Sequence, residues 1–139
     1  KMVGLAHRME WIDKDPFAMF QAKYEKKERF FLTSDELNTI EEKQFKIPRL
    51  ELIKDLFVFS CYTGLSYCDV MKLTSNDLHV GIDGKHWIHS ERQKTGVPVK
   101  IPVLSKAMSI IEKYSTDERS IIEGKMFPSI FNQKLNSYL

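Results

Sequence analysis

The stretch between Pro48 and Gly64 limits this chain's fold more than any other. Leu52, Ile53, Leu56, Phe57 and Phe59 recur at helical spacing there. They predict a strongly buried core helix that ends near Gly64, because glycine takes the left-handed conformation that closes helices without steric cost.

The flanking segments supply shorter elements. Thr33 followed by Glu36 makes a capping box for a helix running to about Glu42. Ser66 and Asp69 repeat that spacing and start a second short helix over residues 67–72. The period then changes to two. Residues 85–92 and 97–103 alternate and are rich in β-branched side chains, with Thr95-Gly96 between them. They predict a β-hairpin with Lys94 at its tip. Pro98 and Pro102 put the second strand at a sheet edge. Ser105 is expected to cap a helix to Tyr114, a loop to reach Gly124, and Met126-Phe127-Pro128 to lead into a last helix over 132–139.

Upstream, Met2, Leu5, Ala6 and Met9 follow helical spacing, and residues 13–16 are expected to end that helix. The charge-rich segment from there to Phe31 reads as a linker between two modules, with a domain start at Thr33. Both chain ends read as interior to a longer protein. The fold class expected is mainly α with a small antiparallel β-sheet, α+β.

A chain of 139 residues, 42% hydrophobic and 29% charged, has the composition of a globular domain with a real core. The net charge of +2 is too small to identify a nucleic-acid partner by itself. Clusters say more: residues 23–29 hold four basic side chains, and Arg92, Lys94 and Lys100 gather round the predicted turn. The first cluster reads equally as a solvated face or as a DNA contact. Cys61 and Cys68 form no disulfide framework, and the chain has neither a secretion signal nor an apolar run long enough to span a bilayer. A reducing cytoplasm is therefore expected.

Several chemistries lack their residues. His86 and His89 lie three apart on a predicted strand and point to opposite faces, so they cannot easily share a metal ion. No phosphate-cradling glycine loop, nucleophile elbow or Ser-His-Asp grouping occurs. No metal or other cofactor is expected.

The remaining pattern is a buried helix, a T-G-L turn, a short capped helix and a hairpin tipped by Arg92-Gln93-Lys94-Thr95-Gly96. It resembles the catalytic domain of the tyrosine recombinases, the phage-type integrases. The residues that carry the likeness are Leu32 to Leu37 (LTSDEL), Cys61 to Val70 (CYTGLSYCDV), Leu73-Thr74, Arg92 to Thr95 (RQKT), Ile101-Pro102-Val103 and Phe127-Pro128. They span roughly residues 31–139 in that family's order. Residues 32–139 would then be the N-terminal part of a recombinase catalytic domain, and 1–31 the end of a core-binding region and its linker.

The resemblance implies DNA integration and recombination without a metal. A tyrosine attacks a phosphodiester, forms a 3′-phosphotyrosyl bond and releases a 5′-hydroxyl. Cationic side chains surround the phosphate because negative charge gathers on its nonbridging oxygens in the transition state. Lys94 matches the family's catalytic lysine, and Asp69 matches the acid that orients the site. Ser66 stands where most members carry their first arginine, a departure similar to integrases of the conjugative-transposon subgroup. Arg92 or Lys72 would have to replace that cation, with Thr95 and Lys100 as further DNA contacts. Tyr138 does not match the nucleophile, since no H-x-x-R segment stands between the Lys94 hairpin and it; packing beside Leu135 is expected instead.

The partners implied are double-stranded attachment-site DNA and, for a full-length protein, a homotetramer in the bacterial cytoplasm. Plainer readings stand beside these. Ser66 reads also as an N-cap, Asp69 as part of a capping box, and Lys94 as an exposed turn lysine. A noncatalytic DNA-binding remnant that modulates integration is the alternative to an enzyme.

Overall fold

In a computed structural model, which describes residues 2–21 and 30–138, the chain divides into two compact units, Lys1–Phe31 and Leu32–Leu139. The basic cluster at 23–29 lies outside the described residues. In the first unit a helix, α1 (Met2–Arg8), ends earlier than its apolar spacing suggests. Trp11 N–H reaches the Ala6 carbonyl and Glu10 N–H the His7 carbonyl, while Glu10 takes φ 57°. That is a Schellman closure with a non-glycine at its left-handed position. No residue described in this unit is buried.

The second unit is a mixed α+β structure, the coarse class expected from the sequence. Its elements are α2 (Ser34–Glu42), α3 (Pro48–Thr63), α4 (Tyr67–Lys72), β1 (Leu78–Val80), β2 (His86–Glu91), β3 (Pro98–Pro102), α5 (Ser105–Tyr114), α6 (Glu118–Glu123) and α7 (Asn132–Tyr138). Both sequence signals around α2 and α3 operate as read. Thr33 N–H donates to Glu36 Oε2 at 2.8 Å and Glu36 N–H donates to Thr33 Oγ1 at 3.3 Å. Gly64 closes α3 at φ 64°.

The middle of α3 is buried round its circumference through Leu52, Ile53, Leu56, Val58 and Phe59. Phe59 is fully buried, its ring edge-on to Phe127 with centroids 4.8 Å apart, and Tyr114 joins Phe127 from α5. Burial also takes in Lys54 and Asp55, which need partners there. Lys113 Nζ donates to Asp55 Oδ2 at 2.6 Å and Glu51 Oε1 at 2.8 Å, Tyr114 Oη donates to Asp55 Oδ2 at 2.8 Å, and Lys54 Nζ donates to Glu51 Oε1 at 2.7 Å. This network fastens α5 to α3.

The strands form one antiparallel sheet in the order β1-β2-β3. Leu78, Ile88 and Ile101 stand in one row across it, and Ile88 is fully buried. The hairpin is where the sequence placed it, but β1 was missed because it has only three residues. The turn joining β1 to β2 depends on Gly81. A Cβ there would lie 2.5 Å from Asp83 Oδ1 and 2.7 Å from Trp87 Nε1, the two atoms that hydrogen-bond at 3.2 Å.

Two other expectations need correcting. Residues 118–123, read as loop, form α6, capped by the Asp117 side chain and closed by Gly124 at φ 64°. Ser105 is the first residue of α5 and Leu104 occupies the cap, with no side-chain cap bond. At the other end, Leu135 of α7 is buried in the core, and the Arg49 guanidinium lies 4.7 Å over the Tyr138 ring. No helix among the described residues is long and apolar enough to cross a membrane.

Phe59→Ala leaves a ring-sized void in this core and should cost about 3–5 kcal/mol, read as a lowered urea midpoint. Acid should act through Glu51. Burial raises its carboxyl, but hydrogen bonds from Lys113, Lys54 and the Phe45 N–H outweigh this and hold it down at about 2. A depressed carboxyl stabilises the fold fully above its ordinary value near 4.5 and stops doing so as pH falls toward 2. Glu51→Gln should therefore lower stability at pH 7 and flatten its pH dependence between those limits, measured by denaturation at stepped pH.

Candidate functional site

Local rules bring the T-G-L-S turn and the hairpin together. Gly64 turns the chain out of α3, Leu65 buries its side chain, and Ser66 takes the extended conformation of a helix cap, φ −74° and ψ 161°. Asp69 then falls in the first turn of α4, where its charge suits the helix N-terminus, and is buried to 3% exposure.

A buried carboxylate needs several donors, and Asp69 has them. Its Oδ2 accepts from Ser66 Oγ at 2.7 Å and from Arg92 Nη1 at 3.3 Å. Its Oδ1 accepts from the Gln93 backbone N–H at 2.9 Å. Burial pushes this carboxyl up, but the hydrogen bonds from Gln93, Ser66 and Arg92 outweigh it and hold it below the usual carboxylate value. Arg92 Nη1 also donates to the Gly64 carbonyl at 2.9 Å. One helix turn along, Lys72 Nζ donates to the Glu91 carbonyl. Residues 69 and 72, on one face of α4, thus fasten it to the end of β2.

The hairpin loop beyond that anchorage is short. Arg92 N–H bonds the Val97 carbonyl at 2.9 Å, Gly96 N–H returns to the Arg92 carbonyl at 2.8 Å, and Gly96 takes φ 67°. Gln93, Lys94 and Thr95 are left exposed in the turn.

Of the residues singled out from the sequence, Ser66, Asp69 and Arg92 meet directly, with Lys72 beside them. Lys94 and Thr95 project from the loop the cluster holds. Lys100 lies elsewhere, on β3 opposite His89. Ser66 is indeed an N-cap, with Asp69 N–H 3.4 Å from its Oγ, and its hydroxyl donates to Asp69 as well. Gln93 was not foreseen, since its contribution is a backbone N–H that no side-chain pattern announces.

The arrangement can hold an anion. Lys72 meets the Glu91 carbonyl and Arg92 the buried Asp69 carboxylate, and the loop beyond them exposes the Lys94 ammonium. No group of three or more histidine, cysteine or carboxylate side chains able to hold a metal ion occurs among the described residues. Comparison of the chain with protein families, with characterised proteins and with solved structures finds no match.

Asp69→Ala strips Gln93 N–H, Ser66 Oγ and Arg92 of their shared acceptor. The expected cost is about 2–3 kcal/mol, with faster amide exchange at Gln93 than elsewhere in the sheet. Unchanged exchange there would show that Asp69 does not hold the hairpin.

Proposed function

We propose that this chain is part of a tyrosine recombinase of the phage-integrase type and contributes phosphate-binding residues to DNA strand cleavage and rejoining. The observation that supports it is the Asp69 network. It joins the two motifs that carry the resemblance, T-G-L-S and R-Q-K-T, through Ser66 Oγ, Arg92 Nη1 and Gln93 N–H on a single carboxylate.

On this reading the departure at Ser66 has a physical answer. Ser66 is too short and uncharged to neutralise a phosphate, but it shares Asp69 Oδ2 with Arg92. The guanidinium therefore stands next to the position where most members carry an arginine, delivered by the hairpin instead of by α4. Asp69 and the Gly64 carbonyl orient it, and its planar fork suits two phosphate oxygens. Lys94 serves as general acid. As the tyrosine oxygen bonds to phosphorus, the bond to the 5′-oxygen breaks, and that oxygen takes a proton from the lysine ammonium. Thr95, Lys72 and Lys100 add backbone contacts, which position duplex DNA without reading its sequence.

Within these 139 residues the one H-x-x-R spacing, His89 to Arg92, lies ahead of Lys94 and none follows it, so the nucleophile and second arginine are assigned to the full-length recombinase, working as a homotetramer on two duplexes. Residues 1–31 would belong to its core-binding region.

Binding of this chain to a 30-bp duplex, followed by fluorescence anisotropy, should weaken as salt rises. Lys94→Ala and Arg92→Ala should each lower affinity and reduce the salt slope by about one unit. In a recombinase that contains the nucleophile, Lys94→Ala should slow cleavage by roughly 10²–10⁴. Salt-independent binding, or variants that bind like wild type, would argue against this assignment. A covalent DNA adduct formed by these residues alone would overturn the division of roles.

A further inference from the structure

The outer face of the sheet carries two histidines, beside Lys100, that the site above does not use. Strand pairing sets His89 opposite Lys100 and His79 opposite Trp87. His79 and His89 are diagonal neighbours on β1 and β2, with ring centroids 4.6 Å apart and planes tilted by 35°. One row therefore crosses all three strands, as His79, His89 and Lys100, on the face away from Ile88 and the core.

We propose that His79, His89 and Lys100 form a proton-gated phosphate-binding row, a second contact for the DNA backbone that strengthens as pH falls; it rests on the DNA-binding reading above. The charges around the row favour an anion. Burial, then His79, then Lys100 all push the His89 imidazole down from its ordinary value. Neither neighbour acting on it is an acid. Of the carboxylates nearest in the chain, Asp83 accepts from Trp87 Nε1 and the Lys85 N–H, and Glu91, two residues beyond His89 on the same face, carries its Oε1 toward Gly96 in the hairpin turn. Protonating both rings therefore sets two positive charges side by side next to Lys100, and a phosphate bridging them would relieve that repulsion. By linkage, an anion that prefers the charged pair must raise both histidines' pKa values.

A metal ion is the competing occupant for two adjacent imidazoles. Two ligands fall short of the usual four, no third histidine, cysteine or carboxylate joins them among the described residues, and the Lys100 charge repels a cation.

The test is an NMR titration of the histidine ring Cε1–H signals with and without a 30-bp duplex at constant ionic strength, paired with duplex affinity from pH 8 to 5.5. DNA should raise the His79 and His89 pKa values and leave His86, on the opposite face of β2, unmoved. A rise of about one unit in one ring corresponds to roughly ten-fold tighter binding at low pH. H79Q/H89Q should bind like wild type at pH 8 and lose that gain, whereas Lys94→Ala should weaken binding at every pH and keep the gain. Binding whose pH dependence survives H79Q/H89Q, or histidine signals that ignore bound DNA, overturns the row and leaves the recombinase reading intact. Micromolar zinc that shifts both rings when DNA does not would assign the pair to a metal instead. No duplex binding at any pH would end both readings.

Discussion

A helix buried round its whole middle cannot be stable without neighbours on several sides, and α3 imposes that condition on everything downstream. α2, α4, α5 and α7 all pack against it. Its apolar positions take the rings of Phe127 and Tyr114, while Asp55 takes Lys113 and the Tyr114 hydroxyl. The charged contact is as necessary as the apolar one. Asp55 is buried, and a buried carboxylate without donors costs several kcal/mol. α5 is thus specified twice, by the shape of its apolar face and by the partners Asp55 requires.

The same condition governs the candidate site. Asp69 is buried because α4 begins immediately after α3 stops at Gly64, which turns the first face of α4 inward. Its remaining acceptor capacity then has to be met from outside the helix, and the end of β2 meets it. One buried charge therefore couples a helix terminus to a hairpin loop 24 residues away in the chain. Lys94 owes its position to this coupling, although it takes no part in it. Among its described residues the first unit has no such organising centre. Its described aromatic and methionine side chains stay exposed and none of its described residues is buried.

Where the sequence was hard to read, the elements were short or their signals belonged to other elements. β1 has three residues, too few for an alternating pattern, and becomes a strand only because β2 offers it an edge. α6 has six residues and two caps, Asp117 and Gly124, that can be seen afterwards but carry no periodicity between them. α1 ended early because a left-handed Glu10 closed it, a conformation glycine would have announced and glutamate does not. The His79–His89 pair was invisible for a related reason. Judged along the chain, His86 and His89 were the natural couple, whereas strand pairing joined His89 to a residue ten positions earlier.

By itself the sequence determined α2 and α3 with their caps, the start of α4, the hairpin with Lys94 at its tip and the α+β class. These depend on spacing and capping within a few residues, where backbone geometry leaves few choices. Only the tertiary structure decided that Arg92 turns toward Asp69 and Gly64, that Gln93 offers its N–H there and that three strands align His79, His89 and Lys100. Burial of a charge and the register of paired strands are settled between segments distant in the chain, by which donors and edges the fold leaves within reach.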